Sequence, residues 1–379
     1  MIAKRVQQIK PFIVMEVLEK AQAMEREGIS IVHLEVGEPD FDAPKCVREA
    51  VIQAFNKGLT HYTNSLGEPD LRHTVCEHYQ QTYNVSVNPE QIIITSGTSP
   101  AMLLMFAALL EKDDEVIVSN PHYACYPNFI RFVEGKPIFI PVYEEDGFQY
   151  RPDAIKKKLA PKTKAILINS PSNPTGNLLS ESRMKALAEF KPFIISDEIY
   201  HGLIYEGRDH SILEFTDQAF VLNGFSKLYA MTGLRLGYLI APKEFIRPMQ
   251  KMQQNFFISV NATVQHAGIA ALKDAGEDVA RMKKTYNKRR KFMIKRLREI
   301  GFQITVEPTG AFYVFANAKH FSNNSYEFAF DILEKAHVGV TPGIDFGSNG
   351  EGYIRFSYAA SMENIATGMD RIENYIKRL

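Results

Sequence analysis

Tryptophan is missing altogether from this chain, and cysteine occurs only three times in 379 residues. Cys46, Cys76 and Cys125 lie far apart with no C-x-x-C spacing. That excludes a disulfide framework and suits a reducing compartment. Excess charge of either sign is also missing, since 44 basic residues balance 44 acidic ones. No global field exists to hold a polyanion, which argues against nucleic acid as the main partner. Long apolar runs are absent too: Ala101 to Leu110 is half of the ~20 residues a membrane span needs. The first 23 residues begin basic and end in small side chains like a secretory signal, but Glu16 and Glu19 break the apolar stretch. The ten histidines show neither H-E-x-x-H nor H-x-H, and His73 and His78, five apart, do not share a helix face well. No metal site is expected. These absences describe a cytoplasmic chain without repeats, low-complexity tracts or a long linker.

What is present is ordinary globular material, 45% hydrophobic and 23% charged, long enough for two domains. Residues 10–28 carry Ile13, Val17, Leu18 and Met24 at roughly helical spacing, stopped by Gly28. From there short β-branched runs alternate with helical patterns: QIIITSG, EVIVSNPHY, KPIFIPV, KAILINSPSNPTG, PFIISDEIY, AFVLNGFSK and GLRLGYLIA. The helix after SGTS is read as starting at Pro100, where a missing N–H is harmless. Helices are also read at 44–57, 152–159 and 181–189. Each apolar run leads into a polar, Gly/Pro-rich turn, which predicts an α/β fold with a largely parallel sheet covered by helices on both faces.

The final third differs. Residues 281–298 hold ten basic side chains around Met282, Tyr286, Met293 and Leu297, read as a solvated helix face over an apolar stripe. GFQITVEPTGAFYVFANA alternates like a half-exposed antiparallel strand pair, and helices are expected at 325–336 and 362–378. The expected division is a large domain over 32–280, and a smaller α+β domain built from 1–31 and 281–379.

Chemistry in such sheets collects at the carboxyl ends of strands, and there the informative residues fall. Lys227, in GFSKLYAMTGLRLGY, sits where a buried amine is expensive unless used, and a desolvated lysine forms Schiff bases. Its plain alternative is a surface lysine. Ser226 and Arg235 flank it with a hydroxyl and a guanidinium, donors that suit a phosphate dianion. Gly97, Thr98 and Ser99 lead into a helix N-terminus, an anion site or a simple cap. Asp197 ends FIISD, followed closely by Tyr200, and an ionised aspartate there needs a cation or donors. Asn173 lies in an Asn-Pro turn, and Arg355 stands mid-strand in GYIRFSYA, free for a carboxylate ligand or a distant ion pair.

The order Asn173, Asp197, Tyr200, Ser226-Lys227, Arg235, Arg355 resembles the class I/II aminotransferases, pyridoxal-phosphate enzymes of fold type I. The resemblance runs from VGEPDF at 36–41 nearly to the end, and S-K-x5-G-x-R-x-G matches completely. It implies an amino transfer between an L-amino acid and a 2-oxo acid through a Schiff base of Lys227 with pyridoxal 5′-phosphate. By the same matching Asp197 would pair with the pyridinium nitrogen, and Tyr200 and Asn173 would bond the phenolate oxygen. Tyr123 would stack on the ring, while Gly97, Thr98, Ser99, Ser226 and Arg235 would bind phosphate. Arg355, with Gly37 and Asn173, would hold the substrate carboxylate. Tyr62 matches the tyrosine that relatives send to a neighbouring subunit's phosphate, which implies a homodimer with shared sites.

The chain departs from many relatives in having Leu234 where they carry Trp. Other readings stay open at this point: a lyase on the same scaffold, or a non-catalytic regulator. A nicotinamide dehydrogenase is disfavoured because G-x-G-x-x-G is absent. Phe12, Ile13 and Tyr313 are expected to line a side-chain pocket suited to apolar or aromatic amino acids, while the amino-acid pair itself stays undefined.

Overall fold

Twelve runs form strands in the computed structural model, which describes residues 2–379. They are β1 (Val32–His33), β2 (Ile92–Thr95), β3 (Glu115–Asn120), β4 (Lys136–Pro141), β5 (Thr163–Asn169) and β6 (Phe193–Asp197). The remainder are β7 (Ala219–Gly224), β8 (Gly237–Ile240), β9 (Tyr313–Asn317), β10 (Val338–Gly339), β11 (Thr341–Pro342) and β12 (Tyr353–Ser357). β2 to β8 make one seven-stranded sheet in the order β2-β8-β7-β6-β5-β3-β4. Only β8 runs against its neighbours. The mostly parallel α/β sheet expected from the sequence is therefore present.

Its strands are apolar on both faces because helices cover both. Along β6, Ile194 packs into one apolar cluster and Ile195 into another across the sheet, the period-two alternation of a pleat. The helix Thr98–Leu109 buries Ala101, Met102, Leu104, Met105 and Phe106, so the longest apolar run is a core helix. After β3 the chain moves out to β4, then crosses to β5 on the other side of β3. That reversal opens a crevice at the carboxyl ends of β3 and β5, where ligands bind in open α/β sheets.

A third cluster gathers Tyr286, Leu297, Val314, Ile354, Phe356 and Ile372 with Val32 and Leu34 from the other end of the chain. β1 pairs in parallel with β10, and β11-β12-β9 form a small antiparallel sheet. The helix Gly276–Ile300 buries Met282, Tyr286, Met293 and Leu297, each contributing about 1.5–3 kcal/mol by burial. Gly301 ends it in the left-handed conformation, φ 113°, where glycine has no Cβ to clash.

Five local expectations need correction. The helix after SGTS begins at Thr98, not Pro100, and Pro100 still lies in the first turn, where no N–H is missed. The helix expected at 152–159 stops at Lys156, and that at 325–336 turns from α to π after Asp331. The basic helix is not solvated all along its charged face. Arg289 is buried and forked onto Asp40 at 2.7 and 2.8 Å, and Arg290 is buried with Pro308 O at 2.7 Å and Glu206 as partners. A guanidinium is buried where its donors all find acceptors. Finally, GFQITVEPTGAFYVFANA yields one regular strand, β9, buried along most of its length and paired with β12. Phe315 stacks on Tyr353 at 4.8 Å, so alternation there reflects two apolar coverings rather than one wet face.

Candidate active site

A cavity of about 200 Å³ opens at the predicted strand ends. Asp197 closes β6, Asn169 closes β5, and Lys227 follows β7 by three residues. Lys227 Nζ donates to Gly37 O at 2.7 Å and lies 5.9 Å from the Phe312 ring centre. Loss of water pushes its pKa down to about 8, with Arg355 and Arg235 adding to the fall and Glu38 opposing it. The fall raises the unprotonated fraction at neutral pH to about a tenth, far above that of a free lysine, which favours a nucleophilic role.

Asp197 is buried, and burial raises its pKa to about 6. Its carboxylate accepts from Tyr126 Oη at 2.5 Å and from Ile199 N at 3.2 Å. Neither partner carries charge, so the site holds an acid prepared for a cation that the chain itself does not supply. Tyr126 was not singled out in the sequence, because a tyrosine three residues past Tyr123 reads equally well as helix packing. Removing its hydroxyl takes away a donor to a charged acceptor, an interaction of about 1.5–3 kcal/mol. Tyr126→Phe is expected to shift Asp197 further toward its protonated form and weaken cofactor binding about tenfold at pH 7. Titrating the cofactor-free variant and parent with pyridoxal phosphate checks this; equal affinities would contradict it.

Arg355, in the middle of β12, is 2% exposed. Its Nη1 donates to Asn173 Oδ1 at 2.9 Å and its Nη2 to Thr341 Oγ1 at 3.1 Å and to Glu35 O. Tyr313 and Phe346 sandwich the guanidinium, 4.4 and 4.9 Å from their ring centres. Its Nε is buried without a partner. Arg355 therefore has no local carboxylate, leaving it free for a ligand's. Tyr200 Oη and Tyr313 Oη lie 2.8 Å apart, and a Cβ at Gly37 would come within 1.8 Å of Tyr313 Oη. Only glycine lets that phenol reach the cavity.

Thr98 and Ser99 open a helix at one side of the cavity. Gly97 has φ 89°, and a Cβ on it would sit 2.5 Å from Arg235 Nη2. A Cβ on Gly237 would lie 3.0 Å from Thr98 N. The two glycines thus bring backbone N–H groups and a guanidinium around one point, a cradle for an anion. Ser226 is buried next to Lys227 in sequence, whereas Tyr62 is 85% exposed, and neither lines the cavity. Tyr123 lines the wall, edge-on to Phe12 at 5.9 Å and to Tyr126 at 5.2 Å. Ile13 does not line it. Its side chain turns to the Val17–Leu333 cluster, because Phe12 and Val14 take the facing positions of the helix start.

An amine, a buried acid, an anion cradle and a free arginine at the strand ends of such a sheet define an enzyme class, that of pyridoxal-phosphate amino transfer. The family comparison agrees, matching "Aminotransferase class I and II" over residues 29–372, and the chain belongs to that family. It is 41% identical to a (5-formylfuran-3-yl)methyl phosphate transaminase of Methanocaldococcus jannaschii over 100% of both chains. It is also 41% identical to an aspartate aminotransferase of Pyrococcus horikoshii over 99% of this chain and 97% of that one. Among solved structures, a Methanococcus jannaschii protein described as similar in its active site to kynurenine aminotransferases superposes with TM-score 0.93, 41% identity and 99% and 100% coverage. The Thermus thermophilus aspartate aminotransferase with maleate gives 0.95, 35% and 99% of each chain.

The protein is a pyridoxal-phosphate-dependent aminotransferase. The residues present fit that cofactor: the glycine cradle matches a phosphate, Asp197 a protonated ring nitrogen, and Lys227 an aldehyde carbon. No helix among the described residues is long and apolar enough to cross a membrane.

Proposed function

We propose that this aminotransferase prefers amino acids with uncharged apolar or aromatic side chains, and that the residues above carry the transfer. The observation behind the preference is the cavity wall. Its cations are Lys227 and Arg355, its polar residues lie at the expected cofactor side, and its apolar part beyond the tyrosines is Phe12, Val14, Met15, Val36, Met102 and Ile199. With Arg355 on the α-carboxylate, the chain offers no further cation there for a second carboxylate, and an unpaired buried charge is costly.

Bound pyridoxal phosphate supplies an aldehyde that condenses with amines and a cationic ring that takes up the electron pair left at the substrate's α-carbon. Lys227 Nζ would be the amine that holds the cofactor's aldehyde carbon and, once released, the base that would move the substrate's α-proton. Asp197 keeps the ring nitrogen protonated, with Tyr126 holding its carboxylate ionised. Asn173 and Tyr200 would orient the ring oxygen, and Tyr123 would cover a ring face. Gly97, Thr98, Ser99, Ser226 and Arg235 hold the phosphate. Gly37 and Asn173 help Arg355 to fix the substrate carboxylate.

We further infer a homodimer. Tyr62 stands 85% and Ile258 49% exposed on one surface, joined through the Thr63 hydrogen bonds to Ser259 and Val260. Exposed apolar side chains at Tyr62 and Ile258 suit cover by a second copy. For the proposed division into 32–280 and 1–31 with 281–379, the separate apolar clusters support a boundary near 281. Val32 and Leu34, however, pack with the C-terminal cluster and β1 pairs with β10, which favours a first boundary after residue 34. A cytoplasmic location is supported by three free cysteines.

Phenylalanine is expected to exceed aspartate in kcat/KM by about tenfold or more, the value of one misplaced charge or a few methylenes. Initial rates with single amino acids and a common 2-oxo acid check this. A preference for aspartate would overturn the reading and place a cation from the partner subunit in the cavity.

A further inference from the structure

Glu35 is wholly buried, yet its carboxylate has one partner only. Oε1 meets His33 Nδ1 at 2.6 Å, while Oε2 is enclosed without any hydrogen bond. The niche exists because residue 339 is glycine: a Cβ there would lie 2.1 Å from Oε2. β1 and β10 are in register at His33 and Gly339, so this carboxylate is wedged between the paired strands. His33 is the group that reaches water, and its Nε2 meets Glu25 at 3.2 Å.

The main chain of Glu35 points the other way, into the substrate site. Its carbonyl accepts from Arg355 Nη2 and from Thr341 Oγ1 at 3.0 Å. Two residues on, Gly37 O accepts from Lys227 at 2.7 Å. The position of one short segment therefore sets both the guanidinium and the amine. A buried carboxylate is tolerated there only while a cation compensates it.

We propose that His33 and Glu35 are positioning residues for substrate-carboxylate binding, their ion pair fixing the Glu35 carbonyl that anchors Arg355. The proposal rests on Arg355 gripping the carboxylate. Neutralising His33 leaves the Glu35 charge stranded, so the β1 segment must shift to hydrate it, and Arg355 loses its anchor. The carboxylate partner raises the His33 pKa to about 9, with Glu25 adding and burial opposing. The charges facing it are those two glutamates, with Arg371 bonded to Ser30 O and His337 O at the start of the strand pair. A raised histidine pKa means that the pair is intact below about pH 9 and is lost as the pH rises through it.

The test is the affinity of the holoenzyme for 3-phenylpropionate, which has a carboxylate and no amine, from pH 7 to 10. His33→Gln is expected to weaken binding about tenfold at pH 7. Glu35→Gln, which removes the ion pair but keeps the shape and a hydrogen bond to His33 without stranding a charge, should weaken binding less than His33→Gln at pH 7 and lose less affinity above pH 9. His33→Gln with Glu35→Gln should recover most of the affinity lost in His33→Gln, a pattern that mere loss of packing would not produce. His33→Gln binding as the parent does, or the double variant binding no better than His33→Gln, would overturn the proposal. Arg355→Leu run alongside separates the two readings: if it leaves 3-phenylpropionate affinity unchanged, the assignment of Arg355 itself fails.

Discussion

Lys227→Ala is expected to lower amino transfer by at least ~10⁴-fold, because in the proposed role one side chain would carry both the covalent attachment and the proton transfer. Its neighbourhood shows why no other group substitutes. The amine is held against Gly37 O at 2.7 Å and lowered to a pKa of about 8 by loss of water. The other cation lining the cavity is Arg355, whose delocalised guanidinium cannot act as a nucleophile. The fold should be unaffected, since shortening the side chain removes one hydrogen bond and a cation near an aromatic ring. Single-turnover rates and thermal melting of parent and variant check both parts. A variant retaining a tenth of the parental rate would contradict the assignment.

Asp197→Asn is expected to lower kcat by about 10²–10³-fold while leaving the substrate KM nearly unchanged. The substitution keeps the shape at the end of β6 and removes the charge opposite the ring nitrogen, an electrostatic loss felt most where electrons accumulate in the transition state. Tyr126 would then face an amide in place of a carboxylate, at the contact that measures 2.5 Å in the parent. The cofactor-free parent should show a related pH effect. With the Asp197 pKa raised to about 6 by burial, the carboxylate takes up a proton as the pH falls through 6. Cofactor affinity should therefore fall there, because the neutral acid no longer attracts the ring cation. An Asn variant with parental kcat, or cofactor affinity level from pH 5 to 8, would contradict the role.

The strand ends could be read in advance because short β-branched runs and their turns are local features. Lys227, Asp197, Asn173 and Arg355 were legible because polar residues are conspicuous beside such runs, and the structure brings them around one cavity. What escaped depends on contacts distant in sequence. Tyr126 acquires meaning from Asp197, 71 residues away. Glu35 and Thr341 matter through Arg355, at separations of 320 and 14 residues. Arg289 looked like one more solvated charge until Asp40, 249 residues distant, paired with it. Ile13 was misplaced by one position, since a helix start turns about 100° per residue and Phe12 and Val14 took the cavity face. Tyr62, placed at a phosphate site by the resemblance, lies outside the cavity and exposed.

The most direct test follows the visible absorption of the holoenzyme through one complete exchange of amino groups. On addition of a single L-amino acid such as phenylalanine, the band of the lysine-bound cofactor should bleach, and an added 2-oxo acid should restore it. The Lys227→Ala protein should show neither change. A band that does not respond to amino acids, or that bleaches with release of ammonia and fails to return, would contradict amino transfer at this cavity.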